Sequence, residues 1–292
     1  MLEWLEQYEG IIVLSTLLAS IIILCIAELV VPLREDPDTL GFRWVNNIGL
    51  ALVTLLCSRL FYTFLGASGA WFATRHQFGL FAQVEAPWAL AFVVALLAFN
   101  LADYWVHRAM HRYPLLWRLH AVHHSDTAFD LTTAYRNHPL ESMLFFCARL
   151  PIIVSLGIPV SVAVTYEVLR TAQELWSHSN TRLPPRLDRF LRLIVVTPTF
   201  HRVHHCSQEQ FTNSNFGNTL PWFDYLFGTY RHRPVSEHVE MEMGLEYFRE
   251  PRDSRLDRML LMPLRRRSDY RSTFMEPGVR RAKSLGYPSA VD

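Results

Sequence analysis

Residues Pro87–His124 read PWALAFVVALLAFNLADYWVHRAMHRYPLLWRLHAVHH. The stretch from Pro87 to Val106 is apolar apart from Asn100 and Asp103. It has the length of about 20 residues that crosses a bilayer core at about 1.5 Å per residue. It runs straight into histidines: His107-x-x-x-His111, then His120-x-x-His123-His124. A third group, His201-x-x-His204-His205, comes much later. Residues at i, i+3 and i+4 share one helical face, so each group can aim two or three imidazoles at one point. With 13 histidines in 292 residues, an HxxHH pattern is expected roughly 0.03 times by chance, and two occur. One isolated histidine would be read as a hydrogen-bonded core residue. Eight polar rings at the ends of membrane helices would be costly to bury without partners.

Working outward, Ile11 to Val31 is a second apolar run, broken by Ser15, Thr16, Ser20 and Glu28. The segment before it carries Glu3, Glu6 and Glu9 and no basic residue, which does not fit a cleavable signal peptide, so a retained membrane helix is expected. A third run, about Val45 to Leu65, is interrupted by Asn46, Asn47 and Arg59. Leu140 to Trp176 is long enough for two crossings, and Gly157-Ile158-Pro159 predicts the turn of a helical hairpin. The fold class predicted is all-α: a polytopic helical membrane protein with a helical cap holding the histidines. Arginines follow the first, third and hairpin helices (Arg34 and Arg43; Arg108, Arg112 and Arg118; Arg182, Arg186, Arg189 and Arg192), whereas Gly66 to Ala86 holds Arg75 alone. By the positive-inside rule the N-terminus is outside and every histidine group is cytoplasmic. The chain divides into 1–99, N-terminal membrane helices; 100–235, the metal domain with its hairpin; and 236–292, a polar, Arg-rich tail expected to be solvated from Glu250 onward.

Twenty-eight basic against 27 acidic residues give no basic excess for a nucleic-acid partner. The four cysteines are scattered and contain no CxxC pair, so they read as small buried hydrophobes rather than disulfides, thiolate ligands or an iron–sulfur site. Imidazole nitrogens suit iron, zinc, copper and nickel alike. Eight or more of them exceed one ion's shell and indicate two ions. No HExxH metalloprotease motif occurs, nor the Glu-x-x-His pairs of soluble di-iron carboxylate bundles. The rival classes are a histidine-rich membrane metal transporter or sensor, and a zinc hydrolase. Transporters place their ligands near the bilayer midplane, whereas these groups sit at helix ends.

In this order, on a chain with several spans, HxxxH, HxxHH and HxxHH resemble the fatty acid hydroxylase/sterol desaturase superfamily. The resemblance runs from about Asn100 to Pro234 and takes in Asp103-Tyr104-Trp105, Arg136-Asn137-His138-Pro139-Leu140-Glu141, Thr197–His205, Asn215-Phe216-Gly217-Asn218 and Asp224–Tyr230. It implies a non-haem di-iron site, with zinc as a substitute, that uses O2 to hydroxylate, desaturate or oxidatively cleave a lipid. It also implies that His107, His111, His120, His123, His124, His201, His204 and His205 are ligands. His178 matches a further family histidine, and Glu174 stands where some branches carry its partner. His138 is read as a ligand or as a residue that orients one. Asp103, one turn before His107, is expected to hold that ring's other N–H, although it could equally mark the helix end; Asp224 and Glu141 are weaker candidates. His76, His232 and His238 read as surface or loop residues. No catalytic group beyond the ligands is singled out. No haem, flavin or ferredoxin motif appears in the chain, so electrons are expected from a separate redox protein or a reduced pterin.

Overall fold

The computed structural model describes residues 7–35, 40–76, 78–84, 86–266 and 269–270. Four helices are long and apolar enough to cross a membrane: α1 (Glu9–Val30), α2 (Leu40–His76), α4 (Trp88–Arg112) and α6 (Pro139–Leu156), with a short α3 (Leu80–Gln83) between the second and third. Helix α7 (Val160–Ser177) is the other limb of the expected hairpin. Gly157 makes its turn at φ 64°, in the left-handed region where glycine is unstrained. Gly79 approaches this turn so closely that a Cβ there would lie 2.5 Å from the Gly157 Cα. Unlike α6, α7 is not apolar enough for a span, because it carries Glu167, Arg170 and Glu174. The chain neutralises these charges locally, with Arg170 bonded to both glutamates.

The membrane helices present apolar residues outward. On α1, Ile11, Leu14, Leu18, Ile22 and Ile26 are exposed, while Leu17, Ile21 and Leu24 pack against Leu131, Ala134 and Leu175. Its acid, Glu28, accepts the backbone N–H groups of Leu131 and Asn180 and pins α1 to the cap. Helix α2 is inverted relative to a soluble helix. Val45, Ile48, Leu52 and Leu55 face out, whereas Arg43, Asn47, Thr54 and Ser58 are buried. Arg43 forms ion pairs with Asp126 and Asp130 at 2.6 and 2.8 Å.

The cap is built from short helices at one end of the bundle. Pro114 disfavours helical geometry at Tyr113, which is extended at φ −106°, ψ 123°, and Pro114 then opens α5 (Pro114–His124). That break folds the second histidine group back onto the first. Helix α8 (Pro185–Leu191) leads to α9 (Pro198–His204), whose N-terminus is capped by the Thr197 side chain with Pro198 in the first turn. Beyond 235 the chain is not a free tail. Met241 and Met243 pack with Phe129 and Cys206, and Met259 and Met262 pack with Leu50 and Val122. The expected solvation beyond Glu250 therefore fails over Pro251–Leu264, where the methionines complete the apolar cover of α5. Arg280 and Arg281 lie outside the described residues. No β-strand occurs among the described residues, which contain isolated bridges at Pro32–Thr181 and Cys206–Met243.

Candidate metal centre

Nine histidines converge in two buried sets. His107, His111, His120, His124 and His204 offer one nitrogen each, all within 4.8 Å of one another; His123, His178, His201 and His205 form a second such set. Helical spacing divides each HxxHH group between the two. His120 and His124 enter the five-membered set and His123 the four-membered one, whereas His204 enters the first and His201 and His205 the second. The rings interleave across the divide: His124 and His205 stack with centroids 4.6 Å apart, and His120 and His123 at 5.2 Å.

The outward nitrogens fix which way the rings face. The Nδ1 atoms of His107, His204 and His178 lie 2.7, 2.7 and 2.8 Å from the carbonyl oxygens of Phe216, Ser214 and Glu174. A carbonyl only accepts, so each Nδ1 carries the proton and each neutral ring turns an Nε2 lone pair inward. His120 Nδ1 likewise meets the Glu141 carboxylate at 2.8 Å. The inward Nε2 atoms are then crowded: His107–His120 2.9 Å, His120–His124 3.1 Å, His178–His201 3.0 Å and His123–His178 3.2 Å. His204 Nε2 is buried without a hydrogen-bond partner. Lone pairs at such distances repel unless a cation lies between them. With metal–nitrogen bonds of about 2.1 Å, neighbouring ligands at right angles stand about 3.0 Å apart. The two sets thus fit two metal ions.

Electrostatics keep the rings in the form a metal needs. Burial pushes His120 down to about 3 and His178 to about 4, the latter partly opposed by its bond to the Glu174 carbonyl. His123, His124, His201, His204 and His205 are also held well below the ordinary imidazole value, first by burial and then by one another. Neutral imidazole is the ligating state.

The other expected site residues go elsewhere. His138 belongs to neither set; its Nδ1 caps the Leu140 N–H at the start of α6 and its Nε2 lies 3.3 Å from the Leu260 carbonyl. Asp103 does not meet His107. It holds Arg149 through two bonds of 2.8 and 2.6 Å and accepts the Tyr166 hydroxyl, because its side of α4 faces α6 and α7. The Glu174 carboxylate pairs with Arg170, and its backbone carbonyl orients His178. Glu141 is the carboxylate that meets a cluster ring. Asp224 works one layer further out, accepting the N–H groups of Phe216 and Gly217, whose strand of chain supplies the carbonyl for His107. His238 is buried rather than a surface residue, with its Nε2 at the Arg233 carbonyl, while His76 and His232 are exposed. The residues not foreseen are the backbone carbonyls of Ser214, Phe216 and Glu174. Backbone groups leave no mark in residue identity, although Asn215-Phe216-Gly217 was already part of the motif set.

Comparison with known proteins agrees with this geometry. The sequence model of the fatty acid hydroxylase family matches residues 92–229, which contain all nine clustered histidines. The chain is 33% identical over 158 residues to alkylglycerol monooxygenase of Danio rerio, covering 53% of this chain and 34% of that protein. It is 31% identical over 152 residues to ornithine lipid hydroxylase OlsE of Rhizobium tropici, covering 50% and 44%. It is 31% identical over 232 residues to very-long-chain aldehyde decarbonylase GL1-2 of Oryza sativa subsp. indica, covering 72% and 35%. The matches span about a third to under a half of these relatives' own lengths. No solved structure matches the chain.

Proposed function

The chain belongs, through residues 92–229, to the fatty acid hydroxylase superfamily, and from that premise we propose that it is a membrane-bound di-iron oxygenase that oxidises a lipid with O2 and externally supplied electrons. The observation that carries the proposal is the division of nine buried, neutral histidines into sets of five and four at one end of a membrane helix bundle. Two iron ions bound there would supply O2 activation and the oxidising power to attack a C–H bond. For hydroxylation the balance is one C–H bond, O2, two electrons and two protons giving C–OH and water; desaturation and oxidative cleavage draw on the same reagents.

The protein's own contribution is position and exclusion. The carbonyls of Phe216, Ser214 and Glu174 and the Glu141 carboxylate hold four rings with Nε2 inward. Such outer partners fix ring orientation and raise ligand basicity. His107, His120, His123, His178 and His201 line a cavity of 110 Å³ between α2, α4, α6 and α7, where a substrate can reach both sets. The cap's apolar clusters around Trp117, Val122 and Phe129 shield the rings from water. Relatives named as a monooxygenase and a lipid hydroxylase support an oxidative reading over a hydrolytic one. The ligands' place at the end of the bundle favours an enzyme over a transporter.

The test is isotopic. Metal-loaded protein in membranes containing its native lipids, given 18O2 and a two-electron reductant, should place one 18O atom in a lipid or remove two hydrogens from it. Consumption of lipid with 18O arriving from labelled water instead would identify a hydrolase, and metal flux without lipid change would identify a transporter.

A further inference from the structure

Two segments of the cap run down beside the membrane helices instead of standing clear of them. Leu220 donates its backbone N–H to the Asn100 side chain of α4 at 3.2 Å. Asn100 lies six residues inside the apolar run that ends at Val106, about 9 Å along the helix axis. Gln173 of α7, five residues before His178, donates to the Val196 carbonyl at 2.5 Å, and the Val196 N–H bonds the Thr219 carbonyl at 2.9 Å. Residues 193–196 and 219–222 therefore sit together, held from two sides at a depth where α4 is still apolar.

Their backbone groups find partners within the protein. The Leu193 carbonyl accepts the Trp222 indole N–H at 2.8 Å, and the Arg192 carbonyl accepts the Tyr225 hydroxyl at 2.9 Å. Irregular chain beside lipid needs such internal partners. The side chains turn the other way. Leu187, Phe190, Leu193, Ile194, Trp222 and Leu226 are exposed, Phe190 and Leu193 at 60% and Leu226 at 71%. Grouped apolar exposure of this kind marks an interaction surface. It is continuous with the lipid-facing stripe of α4. Leu97, Leu101 and Trp105 are exposed on successive turns of that helix, and the Trp105 ring meets Phe227, the residue after the short helix Trp222–Leu226, at 5.1 Å.

Exposed charge on these segments has one sign. Arg182, Arg186, Arg189 and Arg231 are exposed. The acids of 182–196 and 219–231, Asp188 and Asp224, are buried: Asp188 pairs with Arg192 at 2.9 Å, and Asp224 accepts the N–H groups of Phe216 and Gly217. An apolar patch bordered by arginines complements an anionic leaflet, in which acyl chains take the apolar side chains and phosphates take the guanidinium groups. We propose that residues 187–194 and 222–227 form a foot that enters the anionic leaflet on the cap's side of the membrane. The chain beyond Val196 opens α9 with His201 and His204, and residue 219 follows the Ser214 and Phe216 carbonyls that orient His204 and His107. The foot thus fixes the height of the histidine site above the leaflet. The inference needs the membrane helices alone and holds whatever reaction the histidines support.

Photocrosslinking tests this on the full chain in nanodiscs of equal parts phosphatidylcholine and phosphatidylglycerol, with one lipid or the other carrying a diazirine in its upper acyl chain. Adducts mapped by mass spectrometry should fall on 187–194 and 222–227 as well as on Ile26, which is exposed on α1. At the foot, phosphatidylglycerol should exceed phosphatidylcholine by at least about fivefold, the contribution of one arginine near an anionic surface. Arg186→Gln combined with Arg189→Gln, both at exposed positions, should cut that ratio at least about fivefold and leave the ratio at Ile26 unchanged. Adducts at Ile26 with none at the foot would overturn the inference, as would equal labelling of the foot by the two lipids. Crosslinks from foot to foot between two chains would overturn it by assigning the face to a second copy.

Discussion

At the scale of single residues, each oriented imidazole divides its two nitrogens between protein and metal, and the protein-facing partner decides the ring's aim. Glu141 is the clearest case, because its carboxylate holds His120 Nδ1 at 2.8 Å. Glu141→Gln keeps an acceptor but removes the charge, so chelator competition should show about 10–100-fold weaker metal binding; wild-type affinity would remove Glu141 from the site. His178→Ala should reduce metal content and lipid oxidation together. Glu174→Gln should leave the metal content near wild type, since the Glu174 backbone carbonyl, not its carboxylate, orients His178. Asp103→Asn should likewise leave metal content intact while lowering the thermal midpoint, because Arg149 loses an ion pair whose breaking costs about 3 kcal/mol. The histidines were legible in the sequence because helical spacing is local chemistry. The partners of Asp103 and Glu141 were not legible, because a carboxylate's partner depends on which helix docks opposite it. Four residues from His107 along α4, Asp103 faces Arg149 of α6 rather than the ring.

Among the elements, α2 shows what hydropathy conceals. Asn47 makes the helix look less like a membrane span, yet it is buried and donates to Asp126 at 3.1 Å and Thr132 at 3.0 Å, while its oxygen accepts from Arg136. Asn47→Leu would make α2 more apolar and should still destabilise the protein by about 3 kcal/mol, because two partners of buried charge and one hydroxyl lose a hydrogen bond. A thermal midpoint in detergent equal to or above wild type would show that α2 is held by lipid contact alone. The hairpin turn was readable from Gly157-Ile158-Pro159, since glycine permits and proline enforces a turn there; the broken α4–α5 corner was not read, although Pro114 by itself disfavours helix at Tyr113. The packing of 241–262 against α5 and the neighbouring Phe129 and Cys206 was not readable. Its buried residues, Met241, Met243, Leu245, Met259 and Met262, are separated by charged and polar ones, and only the partner surface shows which of them face inward.

At the scale of the whole molecule, the connector after α1, the corner after α4 and the loop after α7 all meet at one end of the bundle. Leu33 bonds to Asn180 and Arg43 pairs with Asp126 across these segments. Four of the five expected crossings were legible from the apolar runs; the fifth, α7, is helical as expected but too charged to count as a span. Sidedness is an expectation from arginine placement, which the fold qualifies, because Arg43 is consumed in a buried ion pair whereas Arg112, Arg182, Arg186 and Arg189 are exposed. Reporter fusions after Gly69 and after Arg118 should report opposite sides of the membrane, with Arg118 cytoplasmic; the same side for both would remove α4 as a span. The central claim is that the two histidine sets hold two metals. Elemental analysis of protein purified without chelators tests it most directly. The account predicts close to two metal ions per chain in the wild type, with His204→Ala and His178→Ala each giving less and His232→Ala unchanged. A wild-type value near one, or two ions retained in both cluster variants, would contradict it.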